Sequence, residues 1–349
     1  MDWMHAAICL LVIFLGCYAS DDSWIARYVN SLPGATWRAT IGDQPHNATQ
    51  KAFRPSAVAS STFILQDHEM DSFPQQPLSR FAAKLLIPES FDARENWPQC
   101  ESMKEIRDQG GCGSCWAHAV SEVLSDRLCI FSKTGFSYIH MSVQDLISCC
   151  RKCGSCNGGV VEYAFEHFKT FGFVTGGDYA SRKGCKAYQF SPDTWNETIR
   201  VVPKCKRSCY PGYRKTYASD LHKGTSWYVV SKLKVTAALP KDRREIEESE
   251  RKIQRELMTN GPVTCSLQVY EDLKTYESGV YQHYVGNHTG AHATKIIGWG
   301  YDKNLDVPYW TVANSWGPAW GEKGFVRVRR GANECGIESR INAAIPRSY

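Results

Sequence analysis

The apolar positions Trp116, Val120, Val123, Leu124 and Leu128 recur every three to four residues, the spacing of one face of an α-helix. Two small residues, Gly113 and Ser114, precede the run, so Cys115 is expected to open a helix over 115–131. Shorter helical patterns follow at 142–148 and 159–170. From Asp242 to Met258 a charged amphipathic stretch aligns Ile246, Ile253 and Leu257 on one side, and Asn260-Gly261-Pro262 stops it. Beyond that point the patterning becomes strand-like, at Val263 to Val269, His292 to Ile297, Tyr309 to Ala313 and Gly324 to Val328. Helices first and strands later predict an α+β chain.

The N-terminal quarter is patterned differently. Residues 6–19 form one apolar run that ends in small residues and is short for a bilayer span, so 1–19 reads as a secretory signal peptide, although its start carries Asp2 and His5 and no Lys or Arg. No second run of membrane length follows, and no membrane association is expected. Residues 20–86 lack cysteine, scatter Pro and Ser, and show little periodicity, which suits a removable pro-segment. The mature domain then comprises 87–349, starting near Ile87.

With 43% apolar and 22% charged residues the chain reads as an ordinary globular protein, and 349 residues allow about two domains. Fifteen cysteines behind a signal peptide point to disulfides. Sequons at Asn47, Asn196 and Asn287 agree with that compartment. Cys149, Cys150, Cys153 and Cys156 are spaced as a zinc site would be, but in a secreted chain we read them as disulfide partners and expect no metal. The net charge of +5 is uneven: nine basic residues lie between Arg182 and Lys215 against Asp193 and Glu197. Such a patch either steers acidic partners or is a solvated loop, and no motif supports nucleic-acid binding.

The candidate chemistry centres on Cys115. A thiol needs a neighbour that stabilises its thiolate, and a helix N-terminus and an imidazole both serve. Cys115 would sit at the positive end of its helix. His292 would be the base, Asn314 the group that fixes its ring, and Trp316 a shield for their hydrogen bond. Gln109, six residues before the cysteine, would aim its amide at the oxygen of a tetrahedral intermediate beside the Cys115 N–H. No cofactor is needed.

The run Gln109-Gly110-Gly111-Cys112-Gly113-Ser114-Cys115-Trp116, with Ala291-His292-Ala293 and Asn314-Ser315-Trp316, resembles the papain family of cysteine peptidases. Ser90-Phe91-Asp92-Ala93-Arg94, Trp97-Pro98-Gln99-Cys100, Cys156-Asn157-Gly158-Gly159, Ser278-Gly279-Val280-Tyr281-Gln282-His283 and Cys335-Gly336-Ile337-Glu338-Ser339 narrow it to cathepsin B-like enzymes, over about residues 86 to 347. Cys115 and His292 are 177 residues apart, more than the roughly 130–150 usual in papain-like chains, so a segment is inserted between them. The resemblance implies a two-lobed fold, one lobe helical and one barrel-like, with an N-terminal pro-segment lying across the groove as an inhibitor. Tyr28-Val29-Asn30 and Thr36-Trp37 carry the likeness to that segment. It also implies the disulfides Cys100–Cys129, Cys112–Cys156, Cys149–Cys205, Cys150–Cys153 and Cys185–Cys209, with Cys265 and Cys335 left over.

By the same resemblance the protein is a monomeric, lysosomal or secreted thiol peptidase acting on proteins or peptides. Gly158 and Gly159 would bond the substrate backbone, Trp316 would line S1′ and Ala291 would add a methyl beside S1 or S1′. Two departures stand out. The stretch Cys185 to Cys209, which corresponds to the occluding loop of cathepsin B, holds no histidine, so the pair that binds a substrate carboxylate is missing and endopeptidase activity is expected to dominate. Lys183 or Lys186 are alternative carboxylate partners. Arg340 stands where cathepsin B has a glutamate at the base of S2, and either repels basic P2 residues or turns to solvent. His118 replaces the usual Phe and is read as a packed residue. Two rival readings are a catalytically silent homologue serving as a binding module or decoy, and a disulfide-rich structural protein that would leave Gln109, His292 and Asn314 unexplained.

Overall fold

A nine-stranded, almost wholly antiparallel sheet and a helical layer meet along one helix that carries Cys115. The computed structural model describes residues 23–41, 71–75, 85–132, 139–194, 198–233 and 243–347. Residues 1–19, expected to be a signal peptide, and the sequon residues Asn47 and Asn196 lie outside them. The helices are α1 (Ser23–Ser31), α2 (Ala93–Asn96), α3 (Cys115–Phe131), α4 (Val143–Cys149), α5 (Val161–Thr170) and α6 (Arg243–Asn260). The strands are β1 (Trp37–Ala39), β2 (Phe91–Asp92), β3 (Gly154–Ser155), β4 (Gly158–Gly159), β5 (Gly224–Lys232), β6 (Val263–Tyr270), β7 (Tyr276–Tyr281), β8 (His288–Asp302), β9 (Val307–Ala313), β10 (Phe325–Arg329) and β11 (Arg340–Pro346). The sheet runs β1-β7-β10-β9-β8-β6-β11-β5, with β2 on β8, and only β7 and β10 are parallel. None of the described helices is long and apolar enough to cross a membrane.

Helix α3 is buried on nearly every side, from Cys115 to Cys129. Its buried charged residues Arg127 and Asp126 find partners inside the protein, as burial requires. Arg127 donates to the carbonyls of Pro262, Gly261 and Ala344 and to Glu256 Oε1 at 2.7 Å, which ties α3 to the end of α6 and to β11. Helix α6 buries Ile246, lays Ile253 and Leu257 on the barrel core, and faces water with the ion pairs Arg251–Glu247 and Lys252–Glu248. Gly261, at φ +94°, ends it.

Disulfides Cys100–Cys129, Cys112–Cys156, Cys149–Cys205, Cys150–Cys153 and Cys185–Cys209 staple the helical side. Cys115, Cys265 and Cys335 remain thiols.

The pro-segment has more structure than its irregular sequence suggests. Helix α1 buries Ile25, Ala26 and Val29 against the barrel core, and β1 pairs with β7. One short helix shows too few turns for its period to be legible, and packing rather than propensity holds it. Trp37 packs against Tyr276, Tyr281 and Tyr284 at 5.2–6.1 Å and donates from Nε1 to the Gln282 carbonyl. A Cβ at Gly279 would sit 2.5 Å from the Thr36 carbonyl oxygen, so only glycine lets β1 approach this closely.

Candidate active site

The turn before α3 is pinned from three directions. The Cys112–Cys156 bridge holds it, the Gly113 N–H donates to the Cys156 carbonyl at 2.8 Å, and the Gln109 N–H donates to the Ser315 carbonyl at 3.0 Å. Gln109 is fully buried. Its Oε1 accepts from Ser315 Oγ at 2.7 Å and its Nε2 donates to the Cys112 carbonyl at 2.9 Å, which orients the amide beside the first turn of α3. Cys115 begins that helix, 3% exposed, and the backbone N–H groups of Ala293, Trp116 and Cys115 itself reach its sulfur.

The Ala293 contact places strand β8 directly against the thiol, and His292 is the residue before it. His292 is 2% exposed. Its Nε2–H donates to Asn314 Oδ1 at 2.7 Å, the only direction open to an amide oxygen that also accepts from the Ser315 N–H. Its Nδ1 is buried and makes no hydrogen bond. Asn314 follows the last residue of β9 and is fixed by its own N–H on the Gly324 carbonyl. The Trp316 ring lies 4.8 Å from the imidazole, tilted 38° to it.

Burial pushes the Cys115 thiol up, against the pull of the surrounding N–H groups. Burial pushes His292 down to about 4, with the Asn314 hydrogen bond opposing. Burial thus holds both groups toward their neutral states. His118 is equally buried. Its Nδ1 faces the Ser114 carbonyl at 3.1 Å, its ring stands edge-on to Tyr188, and desolvation lowers it to about 3. It is a neutral packed residue.

The remaining candidates surround this group. Gly158 and Gly159 form β4, where a Cβ at Gly159 would lie 2.5 Å from the Trp116 ring. Ala291 is buried on β8 opposite Gln268. The segment after Cys185 leans on the cysteine turn: Thr194 Oγ1 accepts from the Gly111 N–H, and Tyr188 OH donates to the Gln109 carbonyl. Lys186 is committed to Asp145 Oδ1 at 2.6 Å and stacks over Tyr217. Arg340 is half-buried at the start of β11 and interacts with Glu162, a buried carboxylate on α5 that accepts from Asn342 Nδ2 at 3.1 Å. Asn287 is exposed before β8, bonded to Glu271.

A buried ionic group behind the thiol and imidazole has no counterpart in the sequence reading. Lys295 on β8 meets Asp126 Oδ2 at 2.8 Å and Glu122 Oε2 at 3.8 Å on α3. Its signal was available: acids at helix positions 122 and 126 inside an apolar run, and a lysine three residues after His292 in an apolar strand. Burial raises Glu122 to about 7 against the attraction of Lys295 and Arg107. A raised carboxyl stabilises the fold in full below its unfolded value of 4.5 and loses that contribution as pH climbs through about 7. The melting temperature should therefore fall over that interval, and Glu122→Gln should flatten the dependence. A profile identical to the parent's in the Gln variant would rule Glu122 out as its source.

The papain family cysteine protease family matches residues 87–345. A cathepsin B-like cysteine proteinase of Caenorhabditis elegans, number 6, is 46% identical over 275 residues, 75% of this chain and 68% of that one. A cathepsin B-like cysteine proteinase of Schistosoma japonicum is 37% identical over 93% of this chain and 90% of its own. Among solved structures, a procathepsin B from Trypanosoma congolense superposes with a TM-score of 0.74 at 30% identity, covering 93% of this chain and 98% of that one. With a thiol at a helix start, an imidazole strand against it and a pro-segment on the barrel, the chain belongs to the papain family of cysteine proteases, in its cathepsin B-like branch.

Proposed function

We propose that this cysteine peptidase is a monomeric secretory-pathway enzyme, lysosomal or secreted, with signal peptide 1–19, pro-segment 20–86 and mature domain 87–349, and that it cleaves chiefly inside polypeptide chains. The unpartnered Nδ1 of His292, on the strand that touches the Cys115 sulfur, carries the catalytic part of this reading. In the processed enzyme the thiol proton passes to Nδ1, giving a thiolate and an imidazolium. The thiolate adds to the substrate carbonyl carbon while its π electrons move to oxygen, held by Gln109 Nε2–H and the Cys115 N–H. The imidazolium gives its proton to the leaving amine as the C–N bond breaks. A water, deprotonated by His292, then attacks the thioester and releases Cys115. Asn314 keeps the ring in register, and Trp316 excludes water from that bond while lining S1′. Gly158 and Gly159 bond the substrate backbone, and Ala291 narrows the site beside His292.

Endopeptidase character rests on the segment Cys185–Cys209, which offers no imidazole for a C-terminal carboxylate, and on Lys186, which is already paired with Asp145. Arg340 and Glu162 together form the floor of S2. The guanidinium disfavours a basic P2 side chain because two like charges would share a poorly solvated pocket. Mass spectrometry of peptides released from a denatured protein reads both properties. Internal cuts with few P2 arginines are expected, and Arg340→Glu should raise the rate at P2 arginine by about tenfold. Stepwise loss of C-terminal dipeptides as the main product, or an unchanged P2 profile in the variant, would reject the corresponding part.

A further inference from the structure

Beside the cleft, the outer edge of the sheet forms a shelf that the chain's own N-terminal part already occupies. Strand β5 is the last in the sheet, bonded to β11 on one side. On the other side the Val229 N–H donates to the Pro74 carbonyl at 2.8 Å, and Gln75 pairs with Val229 in a parallel bridge. Phe73 packs with Trp227 at 5.1 Å and Tyr163 at 6.3 Å, on the apolar core of the helical lobe. Lys232 Nζ meets Asp71 Oδ1 at 2.5 Å. A strand edge, an aromatic slot and a cation thus read one short extended sequence.

The shelf is continuous with the proposed S2 floor. Across the β5–β11 ladder Lys232 stands opposite Arg340 and Val229 opposite Asn342, and Tyr163 follows Glu162 on α5. Adjacent strands lie about 4.8 Å apart, so a peptide on the β5 edge is two strand spacings from the pocket wall at β11. Once residues 71–75 leave, backbone groups of an edge strand and an aromatic slot lose their cover, the two features that strand-adding recognition uses.

We infer that the processed enzyme uses this shelf as a second docking point for polypeptide substrates, taking an extended segment with a carboxylate two residues before an aromatic side chain as a parallel strand on β5. The inference rests on the proposed removal of the pro-segment and on endopeptidase action; a short substrate that fills only the cleft does not reach the shelf.

The test pairs a synthetic peptide of residues 69–77 with Lys232→Glu. On processed enzyme alkylated at its reactive thiol, the peptide should change tryptophan fluorescence, and a peptide with Phe73→Ala should not. On active enzyme it should slow cleavage of an unfolded protein containing Asp-Ser-Phe and leave a dipeptide fluorogenic substrate untouched. Lys232→Glu should lower kcat/KM for the long substrate by about fivefold, the loss of one ordinary contact, with the short substrate unchanged. A peptide carrying Asp71→Lys should regain inhibition of that variant. Absence of peptide binding, or equal slowing of long and short substrates by Lys232→Glu, overturns the docking role. Because the fluorescence arm needs no turnover, an enzyme that fails to cleave internally would sink the endopeptidase reading without deciding the shelf's peptide binding.

Discussion

Cys115→Ala should lower peptide hydrolysis by about a millionfold, the scale on which removing the nucleophile of a cooperative catalytic group acts. The sulfur is small and sits at the start of an otherwise intact helix, so the thermal transition should stay where it is. His292→Ala should cost about as much, and the double variant little more, because the two groups act as a unit. Labelling makes the result specific to this site. An alkylating reagent should attach one equivalent to the processed enzyme and none to Cys115→Ala. The other described thiols stay protonated: burial pushes Cys265 up to about 12, and burial and the Glu334 carboxylate together push Cys335 well above its ordinary value. An unreactive Cys115 in processed protein would instead support the silent homologue.

Lys295→Met should destabilise the domain by about 3–5 kcal/mol, the usual result of removing one partner from a buried ion pair. Lys295 and Asp126 are both fully buried, and Asp126 Oδ1 is already used by Ser102 Oγ at 2.6 Å. Losing the ammonium strands Asp126, with Glu122 beside it, and pushes β8 away from α3. Since β8 also carries His292, activity should fall with stability. Adding Asp126→Leu to Lys295→Met should recover most of the loss, because an apolar pair of similar size avoids the desolvation cost. Urea denaturation of the parent and the two variants decides the point, and a loss below about 1 kcal/mol in the single variant would mean that water reaches the pair.

The helix that begins at Cys115 was legible because apolar side chains on one face repeat over many turns. Strand β8 was only half legible: it extends from His288 to Asp302, well past the apolar stretch at its centre. Strands β5, β7 and β11 were missed because their residues contact different layers along their length, which breaks the alternation that marks a strand. At the site, the residues that touch one another share short runs whose chemistry is distinctive. Lys295, Glu122 and Glu162 escaped notice because a charged letter in a sequence reads as solvent-facing until its partner is known, and each partner comes from a remote part of the chain.

The rivet of Lys295 also bears on how the two halves of the reaction stay in step. It joins the helix that begins at Cys115 to the strand that carries His292, so the nucleophile and its base ride on elements fastened by one buried charge pair. Their alignment is thus tied to the interior of the protein rather than to its surface loops, and a change at Lys295 reaches the thiol and the imidazole together.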